Sequence, residues 1–319
     1  MKVMIRKLTQ TQMIVIGYAL IILTGALLLM LPAASRDGLA TSFPDALFTA
    51  TSASCVTGLV IADTFSKWTM FGQCIILAMI QIGGLGFMTI GVFFAIILRR
   101  KIGLWMRGTL QESVNILQIG GIVRLAKKIM LGTLLFEGVG AALLTLRFQE
   151  QMGWGKAVYY GIFHSISAFC NAGFDLMGKD APYTSFTGYY DDPLVNIVIM
   201  ALIIIGGIGF FVWNDVSTHR HHISRYRLHT KIVLVTTAIL VIGGAALLYL
   251  FESQNTLDGM STQGKVLSSL FGSVTARTAG FNTVDTAALT DNSKMLTIFL
   301  MFIGGSPGST AGGIKTTTF

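Results

Sequence analysis

The sequence predicts an all-α membrane protein built from a repeated unit of helix, short re-entrant helix and helix. Three observations predict it. Apolar runs of bilayer length recur along 319 residues that are 53% hydrophobic and 12% charged, about half the charged share of an average soluble domain. A glycine-centred element occurs three times, at Cys55-Val56-Thr57-Gly58-Leu59, Cys170-Asn171-Ala172-Gly173-Phe174 and Arg277-Thr278-Ala279-Gly280-Phe281. Each copy lies between two long apolar runs, and basic residues gather on the opposite side of those runs.

The first run is 13–31, flanked by Lys2, Arg6 and Lys7. A cleavable signal is the rival reading, because Ala33-Ala34-Ser35 resembles a cleavage site. A signal core is about 7–15 residues, shorter than this run, and a span needs about 20, so the run reads as a retained helix. Further runs follow at 74–98, 129–146, 194–213, 232–251 and 295–303. They make six crossings in three pairs. The glycine elements occupy 43–64, 158–177 and 266–285. Each is too short before its glycine to span, and suits a helix that enters and leaves on one side. Three units result, at 1–105, 106–222 and 223–319.

Charge orients the pairs. The N-terminus and the two linkers between pairs hold 14 of the 23 Lys and Arg residues, and the opposite side holds eight together with most of the acids, such as Asp37, Asp63, Asp191, Asp192, Asp258 and Asp285. The N-terminus and linkers are therefore expected in the cytoplasm, and the glycine elements dip in from outside. The net charge of +8 is thus mostly topology, with some contact to anionic lipid, and does not point to nucleic acid. The three cysteines have no CxxC spacing and imply no disulfide framework. Cys55 and Cys170 each precede their glycine by three positions. A metal pair there is the sharper reading, and two small thiols packed beside a pore the plainer one. No constellation for acid–base, nucleophilic or metal catalysis can be placed, so the chain is not read as an enzyme.

A cation crossing a bilayer must exchange its water shell for other oxygens, and backbone carbonyls turned towards one axis can supply them. Such a turn needs unusual dihedral angles, which glycine reaches without a Cβ clash. Gly58, Gly173 and Gly280 stand where each short helix should end. Thr51, Ser52, Ser54, Ser165, Ser167, Ser273 and Thr275 precede them, and their hydroxyls can satisfy backbone near the turn. The short helices also aim their carbonyl ends at the membrane centre, which favours a cation. The competing reading, that each glycine merely ends a buried helix, is weakened by its threefold recurrence on one side.

The pieces SCVTGL, FCNAGF and TARTAGFN, with the paired-span layout, resemble the Ktr/Trk/HKT superfamily of potassium transporters, most of all the bacterial Ktr membrane subunit. The resemblance covers nearly the whole chain. It implies M1–P–M2 units around a pseudo-fourfold pore, three of four being present here, and K+ uptake across the plasma membrane. It implies a filter of backbone carbonyls from Val56, Thr57, Gly58 and Leu59, from Asn171, Ala172, Gly173 and Phe174, and from Thr278, Ala279, Gly280 and Phe281. K+ is then the transported ion, held only at those carbonyls, with Na+ as a candidate activator and no covalent cofactor. A homodimer and a cytoplasmic nucleotide-binding regulatory ring, of the KtrA-like RCK type, are the implied partners. A single glycine per piece implies weaker K+ selectivity than a GYG filter gives. The fourth repeat is expected beyond Phe319, so the chain reads as a fragment or a truncated product.

Each pair's second helix is also expected to break at glycine: Gly83-Gly84-Leu85-Gly86, Gly206-Gly207-Ile208-Gly209, and the run Gly304-Gly305-Ser306-Pro307-Gly308-Ser309-Thr310-Ala311-Gly312-Gly313. None follows a strand in a βαβ unit, so a nucleotide-loop reading fails. The first two read as small residues for close helix contact. The third cannot remain a regular helix, and irregular backbone at membrane depth must be buried or face a water-filled cavity. In the superfamily the matching segment is an intramembrane gate, and 304–313 resembles it. Lys315 follows, facing a cytoplasmic vestibule or snorkelling to the interface.

Glu137 lies inside an apolar run. An intramembrane acid is a functional hypothesis by default, and it supports the alternative of an ion-coupled secondary carrier with broken helices. The structural reading is a hydrogen bond to the neighbouring short helix, with His164 as the candidate partner. His219, His221 and His222 read as a solvated basic loop that could meet an acidic or nucleotide-binding partner.

Overall fold

The computed structural model describes residues 9–86, 122–179, 181–220 and 222–319, with isolated positions between 89 and 109. The unit boundary at 105/106, the basic residues Lys2, Arg6, Lys7, Arg99, Arg100, Lys101 and Arg107, and His221 lie outside the described residues. The regular elements among the described residues are helices, joined by isolated bridges at Ser35–Trp68 and Ile303–Ile314.

The order long helix, short helix, helix occurs three times. Helices α1 (Gln10–Leu29), α2 (Phe43–Cys55) and α3 (Met70–Leu85) come first. Then come α4 (Ile122–Met152), α5 (Trp154–Phe169) and α6 (Pro193–Gly207), with α7 (Phe210–His219) continuing α6 after a break. The last set is α8 (Leu228–Glu252), α9 (Thr262–Ala276) and α10 (Asp291–Phe302). Their starts are written in the sequence. Thr9 and Gln12 form a capping box, and Ser42, Thr69, Asp192, Ser261 and Thr290 each accept a first-turn N–H. Pro193 occupies a first-turn position whose N–H would have no helical partner anyway.

Helices α1, α4 and α8 are long and apolar enough to cross a membrane, and α6 with α7 qualifies as a pair bent by 96°. The second helices of the first two units are shorter than their apolar runs. The run 74–98 gives a helix that ends at Leu85, because Gly86 turns out of it at φ +77°. The bend between α6 and α7 falls at Gly209, at φ +93°. Helix α10 has 12 residues, about 18 Å of rise against a hydrocarbon core of about 30 Å. Helix α4, by contrast, has 31 residues and extends past the run 129–146 at both ends. There its polar residues find partners. Lys128 donates to Asn214 at 2.9 Å, and Arg147 pairs with Glu150 at 3.0 Å and with Asp192.

Within each unit the short helix packs against its long neighbours, and between units α3 meets α5 and α6 meets α9. Glycine makes these approaches close. A β-carbon on Gly83 would lie 2.0 Å from the Ser54 carbonyl oxygen, and one on Gly206 2.0 Å from that of Phe169. One position on, a β-carbon on Gly84 would lie 2.7 Å from Cys170 Sγ of the next unit. The small-residue reading of these motifs therefore holds, and each motif also breaks its helix. A core of aromatic rings fills the centre of the second unit, with Phe148, Phe163, Phe169, Phe174 and Phe186 fully buried. Phe281 of the third unit joins it, its ring 5.5 Å from that of Phe186.

Candidate functional site: three glycine turns and an intramembrane loop

The three short helices end in matching turns. Val56 caps α2 in the left-handed region at φ +56°, and Gly58 follows at φ +73°. Asn171 and Gly173 repeat this at +58° and +69°, and Thr278 and Gly280 at +86° and +97°. The same two positions are thus positive in every copy, although β-branched Val and Thr resist that region. The hydrogen bonds also repeat. Val56 and Thr57 donate to Ala53 and Ser52 at 3.4 and 3.0 Å, and Asn171 and Ala172 donate to Ala168 and Ser167 at 3.0 and 2.8 Å. The third copy departs slightly, with Ala279 and Gly280 both donating to Thr275, at 2.9 and 3.4 Å.

The turns meet one another. A β-carbon on Gly58 would stand 2.7 Å from the Ala172 carbonyl oxygen, and one on Gly173 would stand 2.2 Å from that of Ala279. Gly280 is less confined, with only the Gly173 Cα at 3.5 Å. The backbone of each piece therefore occupies the space a side chain on its neighbour would need. Carbonyl oxygens gathered in this way can replace water around a cation.

Hydroxyls support the exits. Ser167 donates to the Phe174 carbonyl at 2.6 Å, and Thr275 donates to that of Phe281 at 2.8 Å. In the first copy Thr57 bonds Ser52 at 2.9 Å instead. A carbonyl has two acceptor directions, so the braced oxygens keep one free. Leu59 is 63% exposed, whereas Phe174 and Phe281 are buried, so the fourth position of each piece is not equivalent.

His164 is the supporting residue that sequence reasoning placed elsewhere. Its Nδ1 meets the Tyr160 carbonyl at 2.8 Å, and its Nε2 accepts from Leu176 N at 3.0 Å, just past the second turn. It is not the partner of Glu137. That partner is Gln81, at 3.0 Å, whose Oε1 receives Cys170 Sγ at 3.7 Å. At the outer end of the second exit, Asp175 accepts from Met177 N at 2.9 Å, and burial pushes its carboxyl up to about 6, with Asp63 adding to the rise. Asp63 accepts from Tyr183 N at 3.1 Å, and Asn282 N donates to Ser185 at 3.1 Å, so the outer loops of the three units are tied together.

The loop 304–313 folds back on itself and meets the second and third turns through Thr310 and Gly304. Gly304 N donates to Ile314, Gly305 N to Gly312 and Thr316 N to Gly305, at 3.0 to 3.1 Å. Three further backbone groups of the loop bond the broken helix. Ser306 N and Thr310 N donate to the Gly207 and Gly206 carbonyls at 2.9 and 3.3 Å, and Phe210 N donates to the Gly308 carbonyl at 2.7 Å. The carbonyl end of α6 and the amide end of α7, which no helix can satisfy, thus find partners in the loop. Lys315 turns back to donate to the Ala311 carbonyl at 2.8 Å. Arg277, in the position held by Cys55 and Cys170, is buried and donates to the Gly304 carbonyl at 3.3 Å.

A family model described as TrkH, cation transport protein, matches residues 4–319. The chain is 43% identical over 322 residues to the potassium/sodium uptake protein NtpJ of Enterococcus hirae, covering all of this chain (100%) and 70% of that protein. It is 43% identical over 315 residues to the Ktr system potassium uptake protein B of Bacillus subtilis, covering 98% of this chain and 69% of that protein. A crystal structure of the potassium transporter TrkH from Vibrio parahaemolyticus matches with TM-score 0.67 at 22% identity, covering 94% of this chain and 59% of that one. That likeness concerns the fold.

Proposed function

The chain belongs to the TrkH family of cation transport proteins, and we propose that it takes up K+ across the plasma membrane through a filter of backbone carbonyls. Val56, Thr57, Gly58 and Leu59, Asn171, Ala172, Gly173 and Phe174, and Thr278, Ala279, Gly280 and Phe281 supply the filter. One observation carries this reading: the same pair of positive φ angles recurs in three turns, and each of the first two glycines faces a carbonyl of another unit. A cation stripped of water needs several oxygens on one axis, and glycine is what lets the neighbouring carbonyls approach.

The loop 304–313 is the gate in this reading, supported by its hydrogen bonds to the broken helix and, through Thr310 and Gly304, to the second and third turns. The N-terminus is cytoplasmic, following the distribution of Lys and Arg. The names of the relatives, a potassium/sodium uptake protein and a Ktr system potassium uptake protein, support K+ as cargo, Na+ as a second ion to test, and a separate regulatory component. A homodimer bound to a cytoplasmic nucleotide-binding ring completes the proposal. The deciding experiment is K+ uptake by the full-length protein in cells lacking other uptake systems, with Rb+ and Na+ fluxes measured alongside. Absence of K+-selective flux from folded, membrane-inserted protein overturns it.

A further inference from the structure

Every side-chain hydrogen bond of Asn171 given by the structure runs away from the other two turns. Its Nδ2 meets the Phe169 and Ile203 carbonyls at 3.4 Å and the Thr310 hydroxyl at 2.9 Å. Thr310 in turn donates that hydroxyl to the Phe169 carbonyl at 2.9 Å, and its N–H goes to Gly206. Both side chains are buried, Asn171 at 1% exposure and Thr310 at 7%. Asn171 is also the residue held at φ +58°, a region asparagine enters more readily than most non-glycine residues but keeps only where its surroundings hold it. The loop residue Thr310 is therefore part of what imposes it. At the other end of the loop, Arg277 of the third turn holds the Gly304 carbonyl, and a cavity with room for about one water lies beside Arg277, Gly207 and Gly305.

We propose that Thr310 is a specificity-determining positioning residue: through its hydroxyl it fixes Asn171, and so the carbonyl geometry of the second turn, making ion discrimination depend on where the loop 304–313 lies. This rests on the filter reading above. A loop displaced from α6 takes the Thr310 hydroxyl with it, and the Asn171 amide loses the partner that locks its turn. Opening and discrimination are then linked rather than separate properties.

The test uses the full-length protein, measuring KM and maximal uptake separately for K+ and Na+. Thr310→Val removes the hydroxyl at constant shape and should lower the K+ over Na+ preference at least threefold, while Thr310→Ser retains the wild-type preference. Asn171→Gly keeps the turn accessible but deletes the amide, and should lower the preference by a similar factor. The double variant should be no worse than either single one, because the two residues share one interaction. Should Thr310→Val not reach the membrane, Asn171→Gly against Thr310→Ser decides alone. A change in maximal uptake with preference unchanged, or losses that multiply in the double variant, overturns the proposal. Wild-type protein without K+ preference would instead overturn the filter reading itself.

Discussion

Gln81 Nε2 donates to the Glu137 carboxylate at 3.0 Å, joining the second helix of the first unit to the first helix of the second. The same Gln81 accepts from Cys170 at the end of α5, and the Glu137 backbone carbonyl accepts from Ser165 at 2.7 Å. The acid is thus set in a seam between units, beside the second turn, with Gln81 as the partner of one carboxyl oxygen.

Glu137→Gln preserves the shape and the bond to Gln81, and K+ uptake by the full-length protein is expected within about twofold of wild type. Abolished transport would instead favour an ion-coupled carrier. Gln81→Leu leaves the buried carboxyl without its partner, and should cost about 1–3 kcal/mol, read as a lowered Tm in detergent.

The three turn glycines are expected to differ in sensitivity. Gly173→Ala drives a β-carbon to 2.2 Å from the Ala279 oxygen, Gly58→Ala to 2.7 Å from the Ala172 oxygen, and Gly280→Ala meets nothing nearer than 3.5 Å. K+ over Na+ preference should therefore fall most at Gly173, less at Gly58 and least at Gly280, where only the φ of +97° resists the change. Equal effects at all three positions would contradict the packing described. Flux ratios in proteoliposomes make the comparison.

Removing the hydroxyl braces should loosen the exits without closing them. Ser167→Ala deletes the bond to the Phe174 carbonyl, and Thr275→Val deletes the bond to the Phe281 carbonyl together with the one accepted from Gly280 N, each worth about 1 kcal/mol. A rise in KM for K+ of roughly fivefold is expected from that energy, with protein abundance unchanged. Unaltered KM in both variants would show that these oxygens do not contribute to the ion's surroundings.

The close helix contacts should be intolerant of one methyl group. Gly83→Ala and Gly206→Ala each place a carbon 2.0 Å from a backbone oxygen, and overpacking of this kind costs about 1–3 kcal/mol. A lowered Tm and reduced membrane abundance are expected. Gly138→Ala, where a β-carbon meets nothing within 4 Å, is the control that should remain near wild type.

Much of this arrangement was legible in the residues. The glycines at 58, 173 and 280 announced turns because a recurring glycine between apolar runs has few other uses. Val56, Asn171 and Thr278 were not legible as left-handed residues, since two of them are β-branched and take that conformation only where the surroundings enforce it. The breaks at Gly86 and Gly209 were legible as glycine breaks, but the size of the bend was not. A glycine inside an apolar run serves close packing and chain reversal equally well, and hydropathy cannot separate the two. Glu137 found Gln81 rather than His164 because the imidazole was already committed to Tyr160 and Leu176, a competition visible only once the second exit had a position.

The exchange of hydrogen bonds between the broken helix and the loop 304–313 has a consequence for biosynthesis. The carbonyls of Gly206 and Gly207 and the amide of Phe210 leave the ribosome about a hundred residues before Ser306, Gly308 and Thr310, their partners. Until then these groups are bare at membrane depth, where each unsatisfied group costs several kcal/mol. The second unit must wait in the translocon's wet interior, or keep its helix unbent, until the third arrives. On the second of these routes the bend is a late event in assembly, and a nascent chain arrested before residue 304 then holds 193–219 as one straight helix.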